Sequence, residues 1–130
     1  MTSSETASTA SVQTSDHDGV LVAVVKGELD MISVDEVGTA LFDHLAKGPE
    51  GLVVELAVDF MGSSALSVLL KLHAQAQSDG VGFAIVATQA AAARPLMASA
   101  LSQVLPMAES VDEAVKMAGK QPETADQSGQ

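Results

Sequence analysis

The stretch from Gly51 to Leu72 changes its hydrophobic period at a pair of serines, and this change constrains the fold more than any other part of the chain. Residues 51–58 are almost continuously apolar, which is typical of a strand covered on both faces of its sheet. After Gly62 the apolar residues recur in steps of three and four, which predicts an amphipathic helix. We therefore predict a central strand, a corner at Ser63 and Ser64, and a helix that packs against the sheet.

Strand patterns flank this segment on both sides. Residues 17–19, with the sequence His-Asp-Gly, are a turn signature before the β-branched run of residues 20–26, so we predict a hairpin near the start of the chain. The apolar run over residues 81–88 predicts another short strand. Residues 105–108 are long enough only for a brief one.

Two helix starts are marked by capping boxes, in which a serine is followed three residues later by a glutamate. Ser33 with Glu36 predicts the start of a first helix. Ser110 with Glu113 predicts the start of a last helix, which ends at Gly119.

Strands that alternate with helices after an initial hairpin predict an α/β fold, with a mixed β-sheet of four to five strands and about four helices packed on it. An alanine-rich run over residues 89–104 favours one of these helices, in which Pro95 marks either a late start or a kink. Polar composition predicts a flexible tail over residues 1–14, part of which alternatively adds an edge strand, and a disordered tail over residues 120–130. The single domain then covers residues 15–119.

The composition excludes several classes of function. Seventeen acidic and six basic residues give a formal net charge of −11, which repels nucleic acid backbones and anionic membrane surfaces. The absence of cysteine excludes disulfides and thiolate sites. Since no apolar stretch is long enough to span a bilayer and no signal sequence is present, we expect a cytoplasmic protein.

The segment Gly62–Leu66 is superficially similar to the nucleophile elbow of serine hydrolases. That motif needs a second glycine where Leu66 stands, and a general base would have to reach the serine. The candidate bases are His17, His44 and His73, which belong to a turn, the first helix and the second helix. We therefore expect no enzymatic activity, and we interpret His73 as a half-buried packing residue between the apolar and polar stripes of its helix.

Metal and nucleotide sites have no support in the sequence. The acidic residues between Glu28 and Glu36 lack the spacing of a calcium loop, and there is neither cysteine nor a pair of histidines at metal-ligand spacing. The glycines at positions 80 and 82 precede a strand, whereas a phosphate-binding loop opens a helix. We expect neither a metal nor a cofactor.

Ser63 and Ser64 have two interpretations. Either hydroxyl is placed to cap the helix by accepting from one of its unpaired N–H groups. Alternatively, the corner is a regulatory position, because a phosphate there is stabilised by the helix dipole by roughly 0.3–1 kcal/mol while it disturbs a docked partner. The spacing leaves both interpretations open.

Several segments, none decisive alone, occur in an order and spacing that resemble one known family. They are Gly27–Asp30, Val53–Leu56 with Val58–Met61, Gly62–Leu66, Leu101–Pro106 and Ser110–Val115. Together they resemble the STAS-domain anti-sigma factor antagonists, also called anti-anti-sigma factors, over most of the chain. The resemblance implies the STAS-type mixed sheet.

The resemblance also implies a function by partner switching. The unmodified protein binds an anti-sigma factor that is also a serine kinase, and so frees a sigma factor; phosphorylation breaks that complex. By resemblance the phosphoacceptor is Ser63, with Ser64 as second choice, and the partner-binding surface comprises Asp30, Gly62, Ser63, Ser64 and Ser67.

This chain departs from the family pattern at three positions. Gly62 stands where many members carry aspartate, and Ala65 and Ala100 stand where glycine is frequent. The alternative function is that of a STAS-domain subunit of a lipid transporter or stress-signalling assembly, which binds protein partners without catalysis.

Overall fold

A computed structural model describes residues 10–119 of the chain. Residues 1–9 and 120–130, which fall in the two predicted tails, lie outside the described residues.

Five strands form one sheet within residues 10–119, in the spatial order β1-β2-β3-β4-β5. The strands are β1 (Ala10–His17), β2 (Val20–Leu29), β3 (Gly51–Met61), β4 (Gly82–Val86) and β5 (Met107–Ala108). β1 pairs antiparallel with β2, and every later pair is parallel. The predicted mixed sheet is confirmed, with β3 at its centre.

The hairpin between β1 and β2 follows from its two loop residues. Asp18 and Gly19 both have positive φ, as a type I′ turn requires, and Asp16 Oδ1 accepts a hydrogen bond from Gly19 N at 3.0 Å. β1 begins at Ala10, so residues 10–14 belong to an edge strand, as the alternative for part of the predicted tail proposes. The reason is that Ala10 and Val12 pack against the core although their neighbours are polar.

Four helices cover the sheet over the described part of the chain. They are α1 (Ser33–Ala46), α2 (Ser63–Asp79), α3 (Ala90–Ala98) and α4 (Val111–Ala118). The larger apolar cluster joins α1, α2 and α3 to one face of the sheet, and a smaller cluster of valines and alanines joins α4 to the other. Leu52, Val54 and Leu56 of β3 belong to the larger cluster and Val53 to the smaller, so the central strand is covered on both faces as predicted.

Two glycines allow α4 to lie directly on the backbone of the sheet. Gly51 begins β3 and Gly82 begins β4, and a Cβ atom on either would overlap the carbonyl group of Ala118. Only residues without side chains fit beneath the last turn of α4 at these two positions.

From the sequence we predict a helix over the whole alanine-rich run of residues 89–104, and this prediction is wrong beyond residue 98. α3 begins at Ala90 and ends at Ala98, because Ala100 adopts a left-handed conformation with φ of 63° before a short 3₁₀ turn over Leu101–Gln103. Pro95 lies inside α3, so it does not delay the start of the helix.

Only the second of the two predicted capping boxes is confirmed. Ser110 Oγ accepts a hydrogen bond from Glu113 N at 3.1 Å, and Glu113 Oε1 accepts one from Glu109 N at 2.8 Å. The box predicted at Ser33 and Glu36 is wrong, because Ser33 is fully buried and takes part in a box that begins at Asp30.

Candidate functional site

The carboxyl ends of β2 and β3 lie side by side and bring two chain corners together. Leu29 pairs with Met61 in the parallel register, and Gly62 N donates a hydrogen bond to Leu29 O at 2.9 Å. Binding sites of open α/β sheets form at these strand ends. We call residues 29–32 and 60–64 the Ser63 corner.

Ser63 and Ser64 are the first two residues of α2, and neither hydroxyl caps the helix. The N-cap is Gly62, in an extended conformation, and its carbonyl oxygen accepts from Ala65 N at 3.1 Å. Over residues 10–119 no hydrogen bond engages either serine hydroxyl. Ser63 is exposed and Ser64 is half-buried. The capping interpretation is therefore wrong, and Ser63 Oγ is accessible from solvent.

Asp30 holds the first segment of the Ser63 corner, residues 29–32, in place. Its Oδ1 accepts hydrogen bonds from Ile32 N at 3.0 Å and from Ser33 N at 2.8 Å. In return, Asp30 N donates to Ser33 Oγ at 3.1 Å, and the Ser33 hydroxyl donates to Glu28 O. These reciprocal bonds are a capping box three residues upstream of the one predicted, and they hold the start of α1 against the end of β2.

A bulge next to the Ser63 corner changes which side chains β3 presents. The parallel register pairs Gly27 with Val58 but Glu28 with Phe60, so Asp59 is an extra residue on β3. Bulges locally kink a strand and re-aim its side chains, and they are frequent beside functional sites. Asp59 and Phe60 are both exposed here, although the preceding residues of β3 are largely buried.

Three large apolar side chains are exposed around the corner. Met31 is 81% exposed, Ile32 is 72% exposed and Phe60 is 51% exposed. The edge of the Phe60 ring lies 3.5 Å from where a Cβ on Gly62 would be, so the ring lies beside the residue that precedes Ser63. Exposed apolar groups of this kind, when they are contiguous, mark protein interaction sites.

Sequence reasoning did not identify these three residues. A signal was present, because Met31 and Ile32 are apolar in a turn and Phe60 follows Asp59 where the apolar run of β3 is interrupted. Reading them as surface residues requires the register shift and the upstream capping box, which the sequence pattern did not reveal.

The structure brings together most of the predicted partner-binding residues. Asp30, Gly62, Ser63 and Ser64 all belong to the Ser63 corner, through the pairing of Leu29 with Met61. Ser67 lies one helical turn beyond Ser63 and is also exposed. The corner therefore exposes polar residues together with three large apolar side chains.

Two of the three histidines considered as general bases have contacts elsewhere. His17 Nε2 lies 3.0 Å from Ser15 Oγ in the hairpin, and the His73 ring packs against Phe83 with centroids 5.7 Å apart. His73 is half-buried, as predicted, and its Nδ1 has no hydrogen-bond partner in the described part of the chain. No hydrogen bond joins a histidine to Ser63 or Ser64 in residues 10–119.

Other kinds of site receive little support from the described residues. Over residues 10–119 no group of three or more acidic or histidine side chains is placed to hold a metal ion. In the same part of the chain no helix combines the length and the apolar character needed to cross a bilayer. An open cleft of about 490 Å³ lies beside the ends of β4 and β5, with Glu109 as the one ionisable group in its lining.

Comparison with known proteins points to one family. The family model described as STAS domain matches residues 11–114. The anti-sigma-F factor antagonist RsfB of Mycobacterium tuberculosis is 34% identical over 86 residues, which cover 65% of this chain and 70% of that protein.

Solved structures give the same result for the fold. The crystal structure of an anti-sigma factor antagonist from Mycobacterium paratuberculosis superposes with a TM-score of 0.78 at 32% identity, over 84% of this chain and 93% of that one. A putative anti-sigma factor antagonist from Thermotoga maritima superposes with a TM-score of 0.74 at 22% identity, over 82% and 93% of the two chains. The second likeness concerns the fold alone.

Proposed function

The chain belongs to the STAS domain family, and on that basis we propose that it is an anti-sigma factor antagonist that binds an anti-sigma factor through the Ser63 corner. Binding removes the anti-sigma factor from its sigma factor and so permits transcription. The chain acts by occupying its partner and performs no catalytic step.

One observation carries this proposal: Ser63 is exposed at the point where the ends of β2 and β3 meet. The same corner exposes the apolar side chains of Met31, Ile32 and Phe60, as expected of a surface that a protein partner covers. A hydroxyl that lies in the covered surface makes binding sensitive to a small chemical change at Ser63.

The bound partner is an anti-sigma factor that is itself a serine kinase, and its target is Ser63, with Ser64 as the second candidate. The helix start accepts the added phosphate, because the first turn of α2 contains no acidic residue and its backbone N–H groups favour an anion by about 0.3–1 kcal/mol. The folded domain therefore survives phosphorylation.

The interface responds differently from the fold. A phosphoserine adds close to two negative charges to the covered surface. Desolvating that charge without a new cationic partner costs several kcal/mol. Phosphorylation thus separates the complex and leaves both proteins folded.

The test measures binding of purified wild-type protein and single variants to a panel of purified anti-sigma factors. We expect Ser63→Glu to weaken the tightest of these complexes by about a hundredfold, which corresponds to roughly 2.7 kcal/mol. Ser78→Glu is the matched control, because it adds the same charge at an exposed position on the same helix and should leave the affinity unchanged.

A second measurement examines the phosphorylation itself. The wild type is incubated with ATP and each anti-sigma factor, and the modified peptide is located by mass spectrometry. We expect one phosphate on Ser63 that is absent from Ser63→Ala and retained in Ser64→Ala. Equal affinity of Ser63→Glu and the wild type for every partner would refute the charge mechanism, and failure of the wild type to bind any of them would refute the function.

A further inference from the structure

Met31 is the most exposed of the apolar side chains at the Ser63 corner. It lies two residues after Leu29, whose carbonyl oxygen binds Gly62 N next to Ser63. Met61 ends the neighbouring strand at the same corner but is only 5% exposed. One thioether of this corner is therefore open to solvent while the other is enclosed.

Sulfur chemistry in this chain is restricted to thioethers. The sequence contains six methionines and no cysteine, so no thiolate competes for an oxidant. A thioether needs no deprotonation to react with a peroxide, and its reactivity depends on access. These features single out the exposed Met31 as a reactive position within the proposed docking surface.

We propose that Met31 is an oxidation site through which peroxide weakens binding of the anti-sigma factor. This inference rests on the proposed function and adds to it a second control of the same surface. It differs from phosphorylation because it needs no kinase and modifies Met31 instead of Ser63.

The reaction is a two-electron oxygen transfer. A sulfur lone pair of Met31 attacks one oxygen of hydrogen peroxide, so that an S–O bond forms and the O–O bond breaks. The departing oxygen takes the proton of the transferred hydroxyl and leaves as water. Sulfur is oxidised to the sulfoxide and peroxide is reduced, and methionine sulfoxide reductases reverse the change.

The surroundings of Met31 confine the effect to the surface. Asp30 Oδ1 holds the backbone of the turn through Ile32 N and Ser33 N, and the Met31 side chain contributes nothing to the buried clusters. Conversion of a flexible apolar side chain into a polar sulfoxide therefore leaves the fold intact. At an interface the same change buries an S=O group where an apolar contact existed.

The experiment compares wild type, Met31→Leu and Met97→Leu before and after treatment with hydrogen peroxide. Met97 is exposed on α3, outside the Ser63 corner, and so serves as the matched control. Intact mass and peptide mapping give the extent of oxidation at each methionine, and binding is measured with the anti-sigma factor that the untreated wild type binds most tightly. Thermal melts monitored by circular dichroism verify that every sample stays folded.

We expect peroxide to weaken binding of the wild type and of Met97→Leu by about tenfold, and to leave Met31→Leu unaffected. Treatment of the oxidised wild type with methionine sulfoxide reductases of both stereospecificities should restore its affinity. The inference is overturned if Met31 remains unoxidised when Met97 is modified, if oxidised wild type binds as tightly as before, or if Met31→Leu loses affinity to the same extent. Failure of untreated wild type to bind any anti-sigma factor would instead refute the proposed function on which the inference rests.

Discussion

Replacement of Asp30 by alanine tests the capping box that holds the Ser63 corner. The variant removes the Oδ1 atom that accepts hydrogen bonds from Ile32 N and Ser33 N. Ser33 is fully buried, so its N–H group has no access to water. Loss of an N-cap costs about 1 kcal/mol, and leaving a buried N–H without its acceptor adds about 1 kcal/mol. We expect Asp30→Ala to lower the free energy of unfolding by about 2 kcal/mol.

Far-UV circular dichroism is the appropriate measurement, since the chain has no tryptophan or tyrosine to report unfolding by fluorescence. For a domain of this size, 2 kcal/mol corresponds to a decrease in the melting temperature of roughly 8 °C. Asp30→Asn is the matched control, because the amide oxygen keeps the acceptor and asparagine caps helices as well as aspartate. Its stability should stay within about 0.5 kcal/mol of the wild type.

The same pair of variants separates a structural from a binding role of Asp30. If the carboxylate contacts the partner through its charge, Asp30→Asn loses affinity while its melting temperature is unchanged. Two results would refute the reasoning about the cap: an Asp30→Ala protein as stable as the wild type, or an Asp30→Asn protein as unstable as Asp30→Ala.

Two further substitutions test the backbone of the fold by the same denaturation assay. Ala100→Gly should raise the free energy of unfolding by about 1 kcal/mol, because glycine adopts the left-handed conformation of residue 100 without strain, and an unchanged or lowered stability would contradict that reason. Gly82→Ala should lower the free energy of unfolding by about 3 kcal/mol, because the added methyl group overlaps the carbonyl of Ala118. Gly38→Ala is the control, because its methyl group meets only the Val68 side chain at 3.3 Å and should lower stability far less. Similar losses of stability for the two variants would show that α4 adjusts freely.

The sequence was sufficient to predict the arrangement of strands and helices, because burial imposes periodicity on residues 51–76. A strand covered on both faces leaves a continuous apolar run, and a helix on one face leaves a stripe. The change of period at Gly62 predicted the corner, and the family resemblance then implied the role of Ser63 in it.

Local hydrogen bonding was predicted less well. Ser33 and Glu36 match a capping pattern, yet Asp30 is the residue that caps the helix. Its position after the end of β2 lets its carboxylate accept hydrogen bonds from two N–H groups of the turn. The exposure of Phe60 depends on the register between two strands far apart in sequence, which no single segment encodes. The sequence left open whether residues 10–14 form a tail or an edge strand, because only two residues of β1 touch the core.

The strand register also determines where each end of the folded domain emerges. Ala10 pairs with Gly27, close to the carboxyl end of β2 and hence to the Ser63 corner. Ala118 lies over Gly51 and Gly82 at the amino ends of β3 and β4, roughly 30 Å away along the length of β3. An affinity tag or a fluorophore joined after residue 119 therefore lies at the end of the sheet remote from the docking surface. The same group joined before residue 10 lies close to that surface and interferes with partner binding.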